Sequence, residues 1–196
     1  MAIVMILAGI AVSGISNSSH QARKTSREMV KTHLQQARAH AIATRNSTAL
    51  IIPVRESGKS GLRSMSLIEV EKIDGRYLPI DNESSGVGPL QRWTTLAQNF
   101  HFVTKFMIES DQSTVVDQVK TLTIHQRGVE MKCHMIVFGS NGQIIYPSSS
   151  APIHIAIAQV ARNGSAFRIS EMSNQTPMFD LLLVNRLTAN ARNITP

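Results

Sequence analysis

The sequence predicts an α+β protein in which a long N-terminal helix, first apolar and then amphipathic, packs on an antiparallel β-sheet or β-sandwich. Hydrophobic residues recur at helical spacing before residue 48, whereas from there on they alternate or form short β-branched runs. These later runs are separated by turn signals, which favours antiparallel pairing. We therefore divide the chain into an apolar segment 1–15, an amphipathic helix 16–47 and a β domain 48–196.

The first segment, MAIVMILAGIAVSGI, contains no charged residue. Its contiguous aliphatic residues leave no polar face for water, so this segment needs a dry environment such as lipid or a bundle of helices. It is shorter than the roughly 20 apolar residues that cross a bilayer. Small residues permit close helix contact. The residues expected to make membrane or assembly contacts are Ile3, Val4, Ile6, Leu7, Gly9, Ile10, Val12 and Gly14.

A second helical stretch follows the polar run SNSSHQARKTS. The hydroxyl of Ser26 suits an N-cap of this stretch. Asn46 and Ser47 are expected to end it. Its alanines permit a close approach to a sheet or to another helix. The apolar stripe at helical spacing consists of Val30, Leu34, Ala37 and Ala41.

The β domain is predicted from eight apolar runs. Asp74-Gly75 and Asn141-Gly142 supply turn signals between pairs of them, because these residue types accept positive backbone dihedrals. DNESSGVGP and SSSAP are expected to be loops. The runs are TALIIPV, RSMSLIEVE, RYLPI, TLTIHQ, MIVF, QIIY, IHIAIAQV and FDLLLVN.

No motif for catalysis is evident. Gly58-Lys59-Ser60 lacks a phosphate-loop context, because Pro53 stands where the pattern needs glycine and a strand-like run follows. The seven histidines show no metal-ligand spacing. Cys133, the single cysteine, lies in an apolar run and is expected to be a buried hydrophobe. We predict no enzyme activity, no cofactor, no metal and no small-molecule substrate.

The formal charge of +7 and the pI near 10.1 favour anionic partners. A first basic group follows the apolar segment and suits either lipid headgroups and phosphates or a solvated helix surface: Arg23, Lys24, Arg27 and Lys31. A second group is a candidate for anion or nucleic-acid contacts, although few aromatic residues accompany it: Arg162, Arg168, Arg186 and Arg192.

Several residue patterns also suggest a family. The sequence has Trp93 followed by Leu96, then Phe138 followed by Gly142, and closes with LLVNRLTANARNI, in which Ala189 stands where a glycine is usual. Before the first strand it carries Ala37, Arg38, Ala41, Arg45 and Asn46. With the order of its elements, the chain resembles type IV pilin-like proteins, particularly minor pseudopilins of the type II secretion H and FimT kind. The resemblance implies that LLVNRLTANARNI forms the last hairpin. The RSMSL strand and the length also resemble the Verru_Chthon cassette D group.

This resemblance implies a bacterial single-pass inner-membrane protein, with its β domain in the periplasm or on a surface filament. Its partners would be copies of itself or other pilin-like subunits, bundled through their N-terminal helices. Such precursors carry a basic leader, a Gly-Phe cleavage junction and a glutamate before the apolar run, so we expect the true start to lie upstream of Met1. The resemblance does not specify the secretion or pilus system, the cargo or the position in a filament.

Two other functions remain open at this stage. The positive charge suits a DNA-binding minor pilin used in DNA uptake. The apolar start also suits an atypical signal peptide of a secreted enzyme, although no basic residue precedes it.

Overall fold

The computed structural model describes residues 2–54, 61–80, 93–97, 99–105, 113–118, 121–126, 129–148, 151–163, 166–169 and 179–194. Within these ranges only the backbone is described for 2–19, 121, 125–126, 129–130, 161–163 and 166–169. The Gly58-Lys59-Ser60 stretch and the DNESSGVGP loop therefore lie outside the described residues, as does part of SSSAP.

A single helix, α1 (Ala2–Thr44), joins the apolar and amphipathic segments without a break over 43 residues. At 1.5 Å per residue it is about 65 Å long. It ends at Thr44, two residues before the predicted stop at Asn46 and Ser47, because Arg45 adopts a positive φ of 60° and strand pairing begins at Ser47. The N-cap assigned to Ser26 is wrong: this residue lies within the helix, where its backbone already follows helical bonding. Among the described residues, no helix has both the length and the hydropathy required to cross a bilayer.

The rest of the described chain is mainly β-structure. The strands are β1 (Ser47–Pro53), β2 (Ser64–Ile73), β3 (Arg76–Pro79), β4 (Thr94–Thr95), β5 (Phe100–Phe102), β6 (Thr121–Gln126), β7 (Val129–Phe138), β8 (Ile144–Tyr146), β9 (Ile153–Asn163), β10 (Ala166–Ile169), β11 (Phe179–Val184) and β12 (Ala191–Asn193), with a short helix, α2 (Val115–Gln118), before β6. All the runs predicted as strands are confirmed. The closing hairpin, β11 with β12, is confirmed as well. The sequence analysis missed the short elements α2, β4, β5 and β10.

The strands form two antiparallel sheets. Sheet 1 has the order β3-β2-β1-β7-β6, with β4 also pairing with β2 and β8 with β7. Sheet 2 has the order β10-β9-β11-β12, with β5 also pairing with β9. The α+β prediction, with an N-terminal helix followed by antiparallel sheets, is confirmed.

The core lies on both faces of sheet 1. On one face, Leu50 and Ile52 of β1 pack in a cluster with Leu34 of α1 and with sheet 2 residues such as Ile155. On the other face, Ala49 and Ile51 belong to a second cluster. Because β1 is buried on both faces, its sequence is continuously apolar instead of alternating with polar residues.

Both predicted turns are confirmed. Asp74 and Gly75 have φ values of 48° and 76°, as the two-residue connection between β2 and β3 requires. Gly142, between β7 and β8, also has a φ of 76°. A left-handed backbone of this kind disfavours residues with a side chain, which is why glycine occupies both positions.

Candidate assembly interface on the N-terminal helix

One face of α1 is buried against the β domain. Its residues recur every three or four positions and so align along the helix. They form what we call the docking face: Ala22, Ser26, Val30, Leu34, Ala37 and Ala41. The four apolar residues predicted for the stripe are all 0% exposed. The stripe is therefore confirmed, and the docking face continues to Ala22.

Small residues let the end of the helix approach the sheet closely. A Cβ atom built on Gly142 would lie 2.6 Å from Cδ1 of Ile42 and 3.1 Å from Cγ of Arg38. Real Cβ atoms do not come within 3.0 Å of another heavy atom, so this turn has no room for a side chain unless Ile42 moves. The sequence motif of Phe138 followed by Gly142 therefore marks a contact between the β7–β8 turn and α1.

An ion pair anchors α1 to sheet 2. Nε and Nη2 of Arg23 donate to Oδ2 and Oδ1 of Asp180 over 2.9 and 2.8 Å, and Nη2 also donates to the carbonyl of Phe179 over 2.9 Å. The Asp180 side chain is 1% exposed, whereas that of Arg23 is 26% exposed. A carboxylate this deeply buried needs a cationic or hydrogen-bonding partner, so the pair fixes the position of Arg23 on β11.

Two polar residues of α1 hold the segment that contains β4. The amide of Ala97 donates to the Ser26 hydroxyl over 3.0 Å. Nδ1 of His33 lies 2.9 Å from the carbonyl of Met29, and its Nε2 lies 3.0 Å from Oγ1 of Thr94. Because a carbonyl only accepts, Nδ1 of His33 carries a proton and donates it to Met29, while Nε2 shares a hydrogen bond with the Thr94 hydroxyl.

Two further contacts fix the last turns of α1. Nε2 of Gln35 donates to Oδ1 of Asn190 over 2.8 Å, which ties the helix to the β11–β12 connection. Nδ1 of His40 lies 3.2 Å from Oγ1 of Thr48 and 3.7 Å from a carboxylate oxygen of Glu69. The same ring nitrogen faces both groups, so these residues do not form the two-sided proton relay of a hydrolase triad.

The first basic group is largely engaged in ion pairs. Besides Arg23, Arg27 and Lys31 lie 3.4 and 3.0 Å from the carboxylate of Glu28. The hydrogen bond from Lys31 is the main cause that lowers the pKa of Glu28. Lys24 is exposed. These contacts favour a solvated helix surface with paired charges over a cationic patch.

Of the four late arginines, the structure describes the side chains of Arg186 and Arg192. Nη1 and Nη2 of Arg186 donate to the carbonyls of Pro147 and Ala151 over 2.6 and 3.0 Å, and burial lowers the pKa of this guanidinium. Arg192 is exposed on β12. The side chains of Arg162 and Arg168 lie outside the description. Nucleic-acid contact by these residues therefore stays a prediction.

Two kinds of reactive group are of interest among the described residues, the thiol of Cys133 and candidate metal ligands. Cys133 is fully buried, and burial raises the pKa of its thiol to about 12, so it remains protonated at neutral pH. Within the described ranges, no three residues of the His, Cys, Asp and Glu types come together as metal ligands would. The prediction of no enzyme activity and the alternative of a secreted enzyme are not tested by these observations.

Sequence reasoning found the apolar docking face but missed its polar anchors. Arg23 and Asp180 are separated by 157 positions, and His33 and Thr94 by 61. No local pattern pairs residues that far apart. For the eight residues of the apolar segment, from Ile3 to Gly14, the structure describes a helical backbone and no side-chain contact.

These features define a protein whose N-terminal helix is docked, over its second half, on two antiparallel sheets. No protein-family model matches the chain. No curated protein matches it either. Among solved structures, the chain is similar to the type IV minor pilin FimU of Pseudomonas aeruginosa strain PAO1, with 12% identity, a TM-score of 0.44 and coverage of 91% of this chain and 92% of that one.

Proposed function

We propose that the protein is a structural, pilin-like subunit that assembles with copies of itself or with other pilin-like subunits through the first part of α1. The observation that carries this proposal is the continuity of α1. One helix joins residues 2–19, which contain no charged residue, to a half that is anchored on the β domain from Ala22 onward.

The anchored half supports this proposal because it fixes the direction of the helix. Arg23 follows Ala22, the first buried position among the side chains that the structure describes, and is held by three hydrogen bonds to β11. A helix fixed from this point onward gives the preceding turns a defined direction relative to the sheets. The apolar turns are then suited to packing among other helices, where dispersion and close contact between small residues stabilise association.

We further propose that the assembly is a type II secretion or type IV pilus-like machine in which this chain is a minor subunit. In this proposal the apolar segment resides in the inner membrane before assembly, and the β domain lies in the periplasm or on the filament. The support is the sequence resemblance together with the charge-free segment. A charge-free helix suits both lipid and the interior of a helix bundle, because neither supplies water to charged groups.

The experiment compares variants of the full chain that each carry one added positive charge, in either the apolar or the docked half of the helix. Ile6→Lys and Ile10→Lys are expected to abolish co-assembly with partner subunits and to release the protein from membranes. In lipid or in a helix bundle, no water solvates the charged ammonium group of the new lysine. Thr32→Lys is the matched control, because Thr32 is exposed on the docked half. Co-sedimentation of filaments and alkaline extraction of membranes measure the two effects.

Assembly of Ile6→Lys and Ile10→Lys at the level of Thr32→Lys would contradict the proposal. Loss of assembly in all three variants would also count against it, because the effect would not be specific to the apolar half. Circular dichroism distinguishes either outcome from loss of folding.

A further inference from the structure

The outer end of the β2–β3 hairpin is exposed on the face that α1 covers elsewhere. In β2, the residues from Ser64 to Val70 are buried except Glu69, whereas Glu71, Lys72 and Ile73 are exposed. Ile73 is 43% exposed, and Leu78 of β3 is 42% exposed. Neither residue belongs to any of the core clusters that the described residues form.

The strand register places four residues of this hairpin on one face. Ile73 pairs with Arg76 and Glu71 pairs with Leu78, and directly opposed residues project to the same side of a sheet. Residues at alternate positions also share a face, so this is the face on which Met65 and Leu67 pack in the cluster beneath α1. The four residues lie past the end of the helix, which contacts β2 at Glu69 through His40.

These four residues form a square whose diagonals differ in chemistry. Ile73 and Leu78 occupy one diagonal, and Glu71 and Arg76 occupy the other. Neither charged residue takes part in an ion pair with another residue that the structure describes. An acid and a base of this kind, flanking two exposed apolar side chains, complement a surface with the same pattern.

We propose that this patch, defined as Glu71, Ile73, Arg76 and Leu78, docks on the same patch of a second copy of the chain about a two-fold axis. An axis along the apolar diagonal places each Ile73 on Ile73 of the other copy and each Leu78 on Leu78. The same rotation exchanges the charged corners, so each Arg76 meets a Glu71. A two-fold contact requires this kind of self-complementarity.

The patch is small compared with a stable interface, which buries about 800 Å² on each partner. The contact therefore forms where copies are already held close together, because a high local concentration compensates for low intrinsic affinity. It uses no residue of α1. The proposal thus goes beyond assembly through the helix, and it rests on that proposed assembly only for the local concentration of copies.

Cross-linking of the full chain tests the geometry. Ile73→Cys lies on the proposed axis and is expected to form a disulfide-linked dimer under mild oxidation. Lys72→Cys is the matched control, because Lys72 is exposed on the same strand but projects to the opposite face. The native Cys133 does not interfere, since it is buried and its thiol pKa is about 12. Equal cross-linking rates for the two variants would overturn the proposal.

Charge exchange tests the complementarity in the Ile73→Cys background. Glu71→Arg or Arg76→Glu alone places like charges together and is expected to slow cross-linking about fivefold, the range typical of exposed ion pairs. The double exchange, Glu71→Arg with Arg76→Glu, is expected to restore the rate. Single variants that cross-link as fast as the parent, or a double variant as slow as the singles, would overturn the pairing.

Discussion

The two glycine turns of sheet 1 have the same backbone conformation but different surroundings. Gly75 and Gly142 both have a φ of 76° and both follow an Asp or Asn residue. No heavy atom of another described residue lies within 4 Å of a Cβ built on Gly75, whereas Cδ1 of Ile42 would lie 2.6 Å from one on Gly142. The same local signal thus marks a free hairpin at one position and a helix contact at the other. Sheet 1 therefore has a free end near Gly75 and a docked part under α1.

The largest expected difference between the docked part and the free end is the free energy of unfolding that is lost when a leucine is truncated. Leu34→Ala removes a fully buried side chain beneath α1 and should lower the free energy of unfolding by about 3–5 kcal/mol, because it leaves a cavity. Leu78→Ala, the same substitution at the free end, should cost less than about 1 kcal/mol, since Leu78 is 42% exposed. Urea unfolding monitored by circular dichroism measures both. Similar losses would mean that the hairpin is packed against the fold.

The ion pair gives the next largest expected effect. Asp180→Ala should destabilise the fold by about 2–3 kcal/mol, because Arg23 loses the carboxylate that accepts two of its hydrogen bonds. This range lies below that for a fully enclosed pair, because Arg23 reaches solvent. Asp180→Asn is the isosteric control and should retain part of the stability. Glu71→Ala at the free end should change stability by less than about 0.5 kcal/mol. An equal loss for Asp180→Ala and Glu71→Ala in urea unfolding would contradict the anchoring role.

The two glycines allow a matched test of the helix contact. Gly75→Ala should cost about 1 kcal/mol, the penalty for a side chain in a left-handed conformation. Gly142→Ala should cost about 1 kcal/mol more than that, because its Cβ also displaces Ile42. Combining it with Ile42→Ala should remove this extra cost in thermal or urea unfolding. If the double variant showed no such relief, the contact with α1 would not be the cause.

The smallest expected effect is at the end of α1. Arg45 has a φ of 60° directly after the helix and is exposed, a position where glycine has no steric penalty. Arg45→Gly should raise the free energy of unfolding by about 0.5–1 kcal/mol. Arg45→Ala removes the same side-chain charge but keeps the unfavourable φ, so it should not stabilise. A gain in both variants would point to the charge instead of the backbone.

The amount that could be predicted from the sequence depended on how local each signal was. The stripe of Val30, Leu34, Ala37 and Ala41 has helical spacing, and the face it buries follows from that spacing alone. Asp74-Gly75 likewise specifies its turn through two adjacent residues. Ser26 was assigned wrongly for the same reason: a serine after a polar run is typical of a cap, but here a bond from Ala97 uses its hydroxyl within a longer helix.

The short strands were missed because their sequences carry too few residues to show a period. β4 has two residues and β5 has three, so pairing with the longer strands β2 and β9 defines them. Ala189 is a related case. It has a φ of 56° at a position where glycine is usual in the proteins that the sequence resembles. Its side chain is nevertheless fully buried, in the cluster beneath α1. Its burial offsets the backbone strain, which only the packed structure reveals.

The sequence by itself determined the order of the helix and the longer strands, the apolar stripe of α1 and the charge-free character of residues 2–19, because each depends on the spacing or composition of neighbouring residues. Only the tertiary structure decided that Arg23 pairs with Asp180, that Gly142 lies against Ile42 and that Ile73 and Leu78 share an exposed face. These contacts join residues distant in the chain, and strand register and helix docking, which no local pattern encodes, bring them together.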